Sequence, residues 1–233
     1  MKNLKKVVDK IEKEIKEIDG VREKALVDSR DIILNCRKGI QLLHRKKYGE
    51  ASEYINKASR KLKTLYKMVT PYPEMRNAGF VENAAQEVVE AKCIYNVMKN
   101  RPLPDLDNIG VSASTFLLGL CDAVGEMRRF TLDAVREDRV DEANKYLDMM
   151  ESIYESIMKF DYPSAFVPIK KKQDIMRGLI EKTRSELAVA SCERRIQDKI
   201  EEFRDLLETV EKKGVTSKKS RKKTQDLNID EVW

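Results

Sequence analysis

The sequence has 233 residues, of which 37% are charged and 6% aromatic, with nine glycines and six prolines. That profile excludes a sheet-rich domain and bounds the chain to one sizeable helical core with appendages. A formal charge of +6, built from large numbers of both signs, permits a polyanionic partner without requiring one.

Residues 1–19 alternate Lys and Glu around Leu4, Val7, Val8, Ile11, Ile15 and Ile18, which predicts an amphipathic helix with a thin apolar stripe. Gly20 is a point of kinking or interruption. A second helix runs from Val21, with an apolar edge of Ala25, Ser29, Ile32, Ile33, Cys36, Ile40 and Leu43. Beside that edge Arg30, Arg37 and His44 recur every seven residues, so they rise in a column, with Gln41 alongside and Lys38 and Arg45 as neighbours. From Asn35 to Lys47 there is no acid, while Lys, Arg and His occur six times. A one-sign run in a chain that elsewhere alternates Lys and Glu suits phosphates; an ordinary solvated face is the alternative.

A third helix is expected over Tyr48–Val69, ended by Pro71 and Pro73. In the next, Gly79 to Met98, the core line is Phe80, Ala84, Ala91, Ile94 and Met98. Glu87 falls about 20° from its centre and Glu90 about 60° further round. A loop with two prolines follows, and then the helix of SASTFLLGLCDAVGEMRRF, Ser112 to Phe130, opened by small polar residues suited to capping. Phe116, Leu120, Ala123, Met127 and Phe130 define its core face. Asp122 and Glu126 lie beside that face on adjacent turns, with Gly119 expected to leave open space one turn earlier. Further helices are expected over Asp141–Phe160 and from about Ile169 to Lys213, separated by DYPSAFVP. Residues 1–213 then form one helical domain, with 1–19 as an extension and 214–233 as a basic flexible tail.

Glu87, Glu90, Asp122 and Glu126 carry the chemistry. No Lys or Arg stands at the helical positions before Asp122, and carboxylates near a core without a cation repel one another and lose solvation. A bound divalent metal would offset both costs; a charged face grazing the core is the plainer alternative. Hard oxygen donors select Mg²⁺ or Mn²⁺. The single histidine, His44, argues against most zinc sites, and Cys36, Cys93, Cys121 and Cys192 form no metal-type pair. With no leader-like segment and no apolar run approaching 18 residues, the sequence is expected to be that of a soluble cytoplasmic protein that does not engage membranes.

The segments REKALVDSRDIILNCRKGIQLLHR at Arg22–Arg45, QEVVEA at Gln86–Ala91 and GLCDAVGEMRR at Gly119–Arg129 resemble the translin superfamily, and specifically its Trax-like branch. The likeness covers roughly residues 21 to 210. It implies an all-α, elongated antiparallel bundle of about six to seven helices that assembles into a hollow, roughly octameric homo-oligomer. It also implies binding of single-stranded or short RNA, and of single-stranded DNA, on the inner wall. In that branch the acid cluster is a metal-dependent endoribonuclease site, and Glu87, Glu90 and Asp122 look like its catalytic and metal-holding positions, with Glu126 a neighbouring acid. Arg129, one turn past the acids, would face the scissile phosphate or else pair with Glu126. A non-catalytic RNA- or DNA-binding oligomer is the alternative. Two departures from the family are the amphipathic segment before Gly20 and a longer turn around Tyr162 to Lys172.

Overall fold

The computed structural model describes residues 3–164 and 166–225, with side chains as far as residue 210. Among the described residues there is no strand. The helices are α1 (Leu4–His44), α2 (Tyr48–Val69), α3 (Pro73–Arg76), α4 (Gly79–Met98), α5 (Leu106–Ile109), α6 (Ala113–Arg136), α7 (Val140–Ile157) and α8 (Lys170–Gln225). Two of them, α3 and α5, are single turns in stretches expected to be loops. The two helices expected before His44 are one, because Gly20 does not interrupt α1. A mid-helix glycine costs only about 1 kcal/mol, and strong helix formers stand on both sides of this one.

The chain divides into two compact units, residues 1–184 and 185–233. This division falls inside the span read above as one domain. In the first unit α4 is the central helix, packed against α1, α2 and α6, while α1 also packs on α2 and α6 on α7. Its position explains its composition. Val81, Ala84, Ala85, Val88, Val89, Ala91, Cys93 and Ile94 are buried, on more than one side of the helix. The single core line through Phe80 and Met98 is therefore too narrow a reading; both of those end residues are only half-buried. Small residues and valines suit a helix with neighbours on several sides.

Local sequence sets the ends of α6. The Ser112 hydroxyl accepts from the Thr115 backbone N–H at 3.1 Å, satisfying one of the donors a helix start leaves open. Upstream, α5 stops at Gly110, whose φ of 77° is a left-handed conformation that glycine adopts without strain. In the first unit α8 contributes Met176, Ile180 and Thr183 to the core, with Ile169 just before it.

In the second unit the backbone is helical through Gln225, into the stretch from 214 expected to be a flexible tail. Residues 226–233 of that stretch lie outside the described residues. Between 185 and 210 the large apolar residues Val189, Ile196, Ile200, Phe203, Leu206, Leu207 and Val210 are exposed.

Candidate active site

Gly119 governs how close the two acid-bearing helices come. A Cβ there would lie 2.7 Å from the carbonyl oxygen of Gln86 and 2.7 Å from Cβ of Val89. The expectation of open space beside Gly119 is thus corrected: the glycine is where the backbone of α6 presses on α4. A carbonyl oxygen cannot swing aside as a side chain can, so only glycine allows this approach.

One cleft, of about 690 Å³, brings most of the expected site together. Its walls include Glu87 and Glu90 from α4, Glu126 and Arg129 from α6, and Arg37, Lys38, Gln41, His44 and Arg45 from α1. Of the residues expected to act, Arg30 and Asp122 alone are not among those lining it. Arg30 is exposed on α1, one step of seven back along the column. Asp122 stands close enough for its charge to act on Glu87 and Glu90.

Cations meet three of the four acids, from other helices at Glu87 and Asp122 and from α6 itself at Glu126, which corrects the expectation of an uncompensated cluster. Lys172, at the start of α8, donates to Asp122. Arg37 Nη2 lies 3.4 Å from Glu87 Oε1. Glu126 receives Arg129 Nη1 at 2.9 Å, and its other oxygen lies 3.3 Å from His44 Nε2. The search for cations along α6 alone missed Lys172, which is fifty residues away in sequence.

Among the described residues Glu90 has no such partner. Burial first, and then repulsion from Glu87, Glu126 and Asp122, push its carboxyl up to about 8, against the opposing pull of Lys172. Burial also raises Glu87, partly countered by Arg37. Burial acts the same way on Glu126, but the hydrogen bonds from His44 and Arg129 outweigh it and leave that carboxyl below its ordinary value.

The imidazole of His44 is fixed on three sides. Nδ1 lies 2.8 Å from Asp133 Oδ2, Nε2 faces Glu126, and the ring stacks on Phe130 with centroids 3.9 Å apart and planes within 2°. Sequence reasoning missed Asp133 and Lys172. The signal for Asp133 was present, since Gly119, Glu126 and Asp133 recur every seven residues on α6 as Arg30, Arg37 and His44 do on α1. Cysteine takes no part: burial raises the thiols of Cys93 and Cys121 to about 12 and that of Cys36 further, so all three stay neutral.

The donor set suits a hard divalent cation in kind, being carboxylate oxygen alone, with one member raised to about 8 by burial and then by its neighbours. Its side chains are turned to other partners in the arrangement observed, so that holding an ion requires them to reorient. Among the described residues no three His, Cys, Asp or Glu side chains converge as metal ligands. For Glu87, Asp122 and Glu126 to turn toward a common ion, they must leave Arg37, Lys172 and the His44–Arg129 pair.

No helix among the described residues is long and apolar enough to cross a membrane. Comparison with known proteins agrees with the architecture. A protein of Methanocaldococcus jannaschii, MJ0175, is 34% identical over 171 residues, which is 72% of this chain and 76% of that protein. The crystal structure of AfC3PO superposes with a TM-score of 0.73 at 34% identity, covering 80% of this chain and 98% of its own. A structure of AfC3PO in complex with duplex RNA gives 0.73 at 33% identity, covering 80% and 97%. The apo-NeC3PO crystal structure gives 0.72 at 20% identity, covering 78% and 96%, a likeness of fold alone. Residues 1–189 match the translin family model, and the chain is a member of the translin family.

Proposed function

We propose that this protein is an RNA-binding oligomer of the Trax-like type and a Mg²⁺- or Mn²⁺-dependent endoribonuclease. The observation that carries this reading is the convergence, in one cleft, of Glu87, Glu90 and Glu126 with Arg37, Lys38, His44, Arg45 and Arg129. A carboxylate wall facing a basic wall suits a phosphodiester: the cations hold the phosphate and the acids handle protons and charge beside it. The Glu87-x-x-Glu90 and Asp122-x-x-x-Glu126 spacings are what support the Trax-like branch. The duplex RNA bound by AfC3PO supports RNA as the ligand class.

Arg37, Lys38 and Arg45 anchor backbone phosphates along the α1 side and Arg129 does so from α6, with Gln41 hydrogen-bonding beside them. Glu90, largely protonated at neutral pH, can donate a proton until a cation lowers its pKa. A divalent ion held by Glu87, Glu90, Asp122 and Glu126 would supply Lewis acidity at the phosphoryl group. His44 and Asp133 orient Glu126. The ion pairs at Glu87, Asp122 and Glu126 favour a second reading, a non-catalytic binder of RNA or single-stranded DNA whose acids are satisfied within the protein.

The test is incubation of the purified protein with labelled single-stranded and duplex RNA, in Mn²⁺ or in chelator. Metal-dependent cutting, lost in Glu90→Gln with RNA retained, is the expected result. Retention without cutting would establish the binder. The assembly is expected to be a hollow octamer, and light scattering that returned a mass near 27 kDa would remove that part of the reading.

A further inference from the structure

Two apolar stripes lie outside the packed core, and they share one pattern. In α1 the stripe is Leu4, Val8, Ile11, Ile15 and Ile18; in the second unit it is Ile196, Ile200, Phe203, Leu207 and Val210. Each steps by four, three, four and three residues, the spacing of a coiled-coil seam, and each is about 21 Å long. Leu4, Val8, Ile11 and Ile15 are between 49% and 60% exposed, and the five of the second stripe between 49% and 66%. The first stripe continues the core-facing line of α1, since Ile18, Ala25 and Ile32 are seven apart and the latter two are fully buried. The second lies beyond residue 189, where the family match ends.

The charges beside the seams are segregated in opposite senses. On the first helix Glu12, Glu14 and Asp19 stand within about 80° of the stripe centre, while every lysine from Lys5 to Lys16 lies at about 100° or more. On the second, Lys199 and Arg204 stand within about 80° and Asp198, Glu201, Glu202, Asp205 and Glu208 at about 120° or more, while Glu193, one turn before the stripe, lies at about 60°. Pairing either stripe with itself sets like charges against each other, whereas pairing one with the other sets Glu12 and Glu14 against Lys199 and Arg204.

We propose that the stripe of residues 4–18 in one copy docks on the stripe of residues 196–210 in a second copy. Each copy offers both surfaces, so the contact joins copies head to tail or is exchanged reciprocally between two of them. It buries apolar area that a lone chain leaves in water, and the flanking charges fix which stripe meets which. It is independent of whether the cleft cuts RNA.

Charge reversal in the full chain tests this. One variant carries Glu12→Lys, Glu14→Lys and Asp19→Lys; the other carries Lys199→Glu and Arg204→Glu. All five positions are on the surface, and circular dichroism checks that helix content is kept. In sedimentation velocity over a concentration series, each variant alone is expected to dissociate at a concentration at least tenfold higher than the parent. An equimolar mixture of the two should return to the parent's behaviour, because each then meets a complementary stripe on the other. Unchanged dissociation in both variants overturns the proposal. So does loss in the second variant alone, which would mean self-pairing of residues 196–210. Rescue when all five changes share one chain, but not on mixing, would mean pairing within a chain and likewise overturns it.

Discussion

The α4 wall and the α6 wall of the cleft hold the same residue type in opposite states. Glu90 and Glu126 line the same cavity, and burial is the first influence on both. On α6 the carboxylate meets His44 and Arg129 and titrates below its ordinary value. On α4 Glu90 meets mainly other acids and is raised to about 8. Burial raises both carboxyls, and the donors that reach a side chain decide whether that rise stands or is reversed. The asymmetry divides the roles as well, since the α6 wall stays charged through neutral pH and the α4 wall holds a proton ready to leave when a cation arrives.

The contact that brings the walls together is where the comparison breaks most easily. Gly119→Ala places a methyl group 2.7 Å from the Gln86 carbonyl oxygen, and the helices must separate. Overpacking of this kind costs about 1–3 kcal/mol, and an immovable backbone neighbour puts this site at the upper end. Denaturant melts should show that loss, with the Glu90 carboxyl returning toward ordinary values; a change below about 0.5 kcal/mol would mean that α4 and α6 are not held at Gly119.

Glu90→Gln removes the least compensated charge. A carboxyl raised from 4.5 to about 8 binds more protons folded than unfolded, so parent stability falls as pH rises across that window. The variant should lack this decline and be more stable than the parent at pH 8, by about 2 kcal/mol. Added Mn²⁺ should stabilise the parent by about 2.7 kcal/mol at a hundredfold excess over Kd, and the variant by much less. Parallel stability–pH curves for the two proteins would refute the raised carboxyl.

Asp122→Asn has the opposite sign. Its partner Lys172 is only partly exposed, so the lost ion pair should cost about 1 kcal/mol, read as a lower melting temperature in metal-free buffer. A variant as stable as the parent would mean that Lys172 does not compensate the α6 wall.

The smallest effect separates the α1 residues. Arg37→Gln should weaken RNA binding and lower the salt slope by about one unit, since one phosphate contact is lost. Arg30→Gln, outside the cleft, should do less. Equal losses would move the RNA path beyond the cleft toward Arg30.

The sequence by itself determined the helices α2, α4, α6 and α7 and the residue types they carry. Periodicity of 3.6 marked the long helices because each turns one apolar face to the core. Ser112 announced the start of α6 because capping is a local contact. The column Arg30, Arg37 and His44 on α1, the pair Glu87 and Glu90 on α4, and Glu126 beside the core face of α6 were visible because spacing within each helix fixes which face a residue takes. Arg30 nonetheless falls outside the cleft, since a face is longer than the site that uses part of it.

Tertiary structure decided what meets what. Lys172 reaches Asp122, and His44 lies between Glu126 and Asp133, across gaps of fifty to nearly ninety residues that no helical period spans. Gly119 read as empty space along its own helix and proved to be a backbone contact, because the occupant belongs to α4. The states of Glu90 and Glu126 had the same cause: a side chain's charge depends on the donors that packing brings within hydrogen-bonding distance, and packing joins residues that are far apart in the chain.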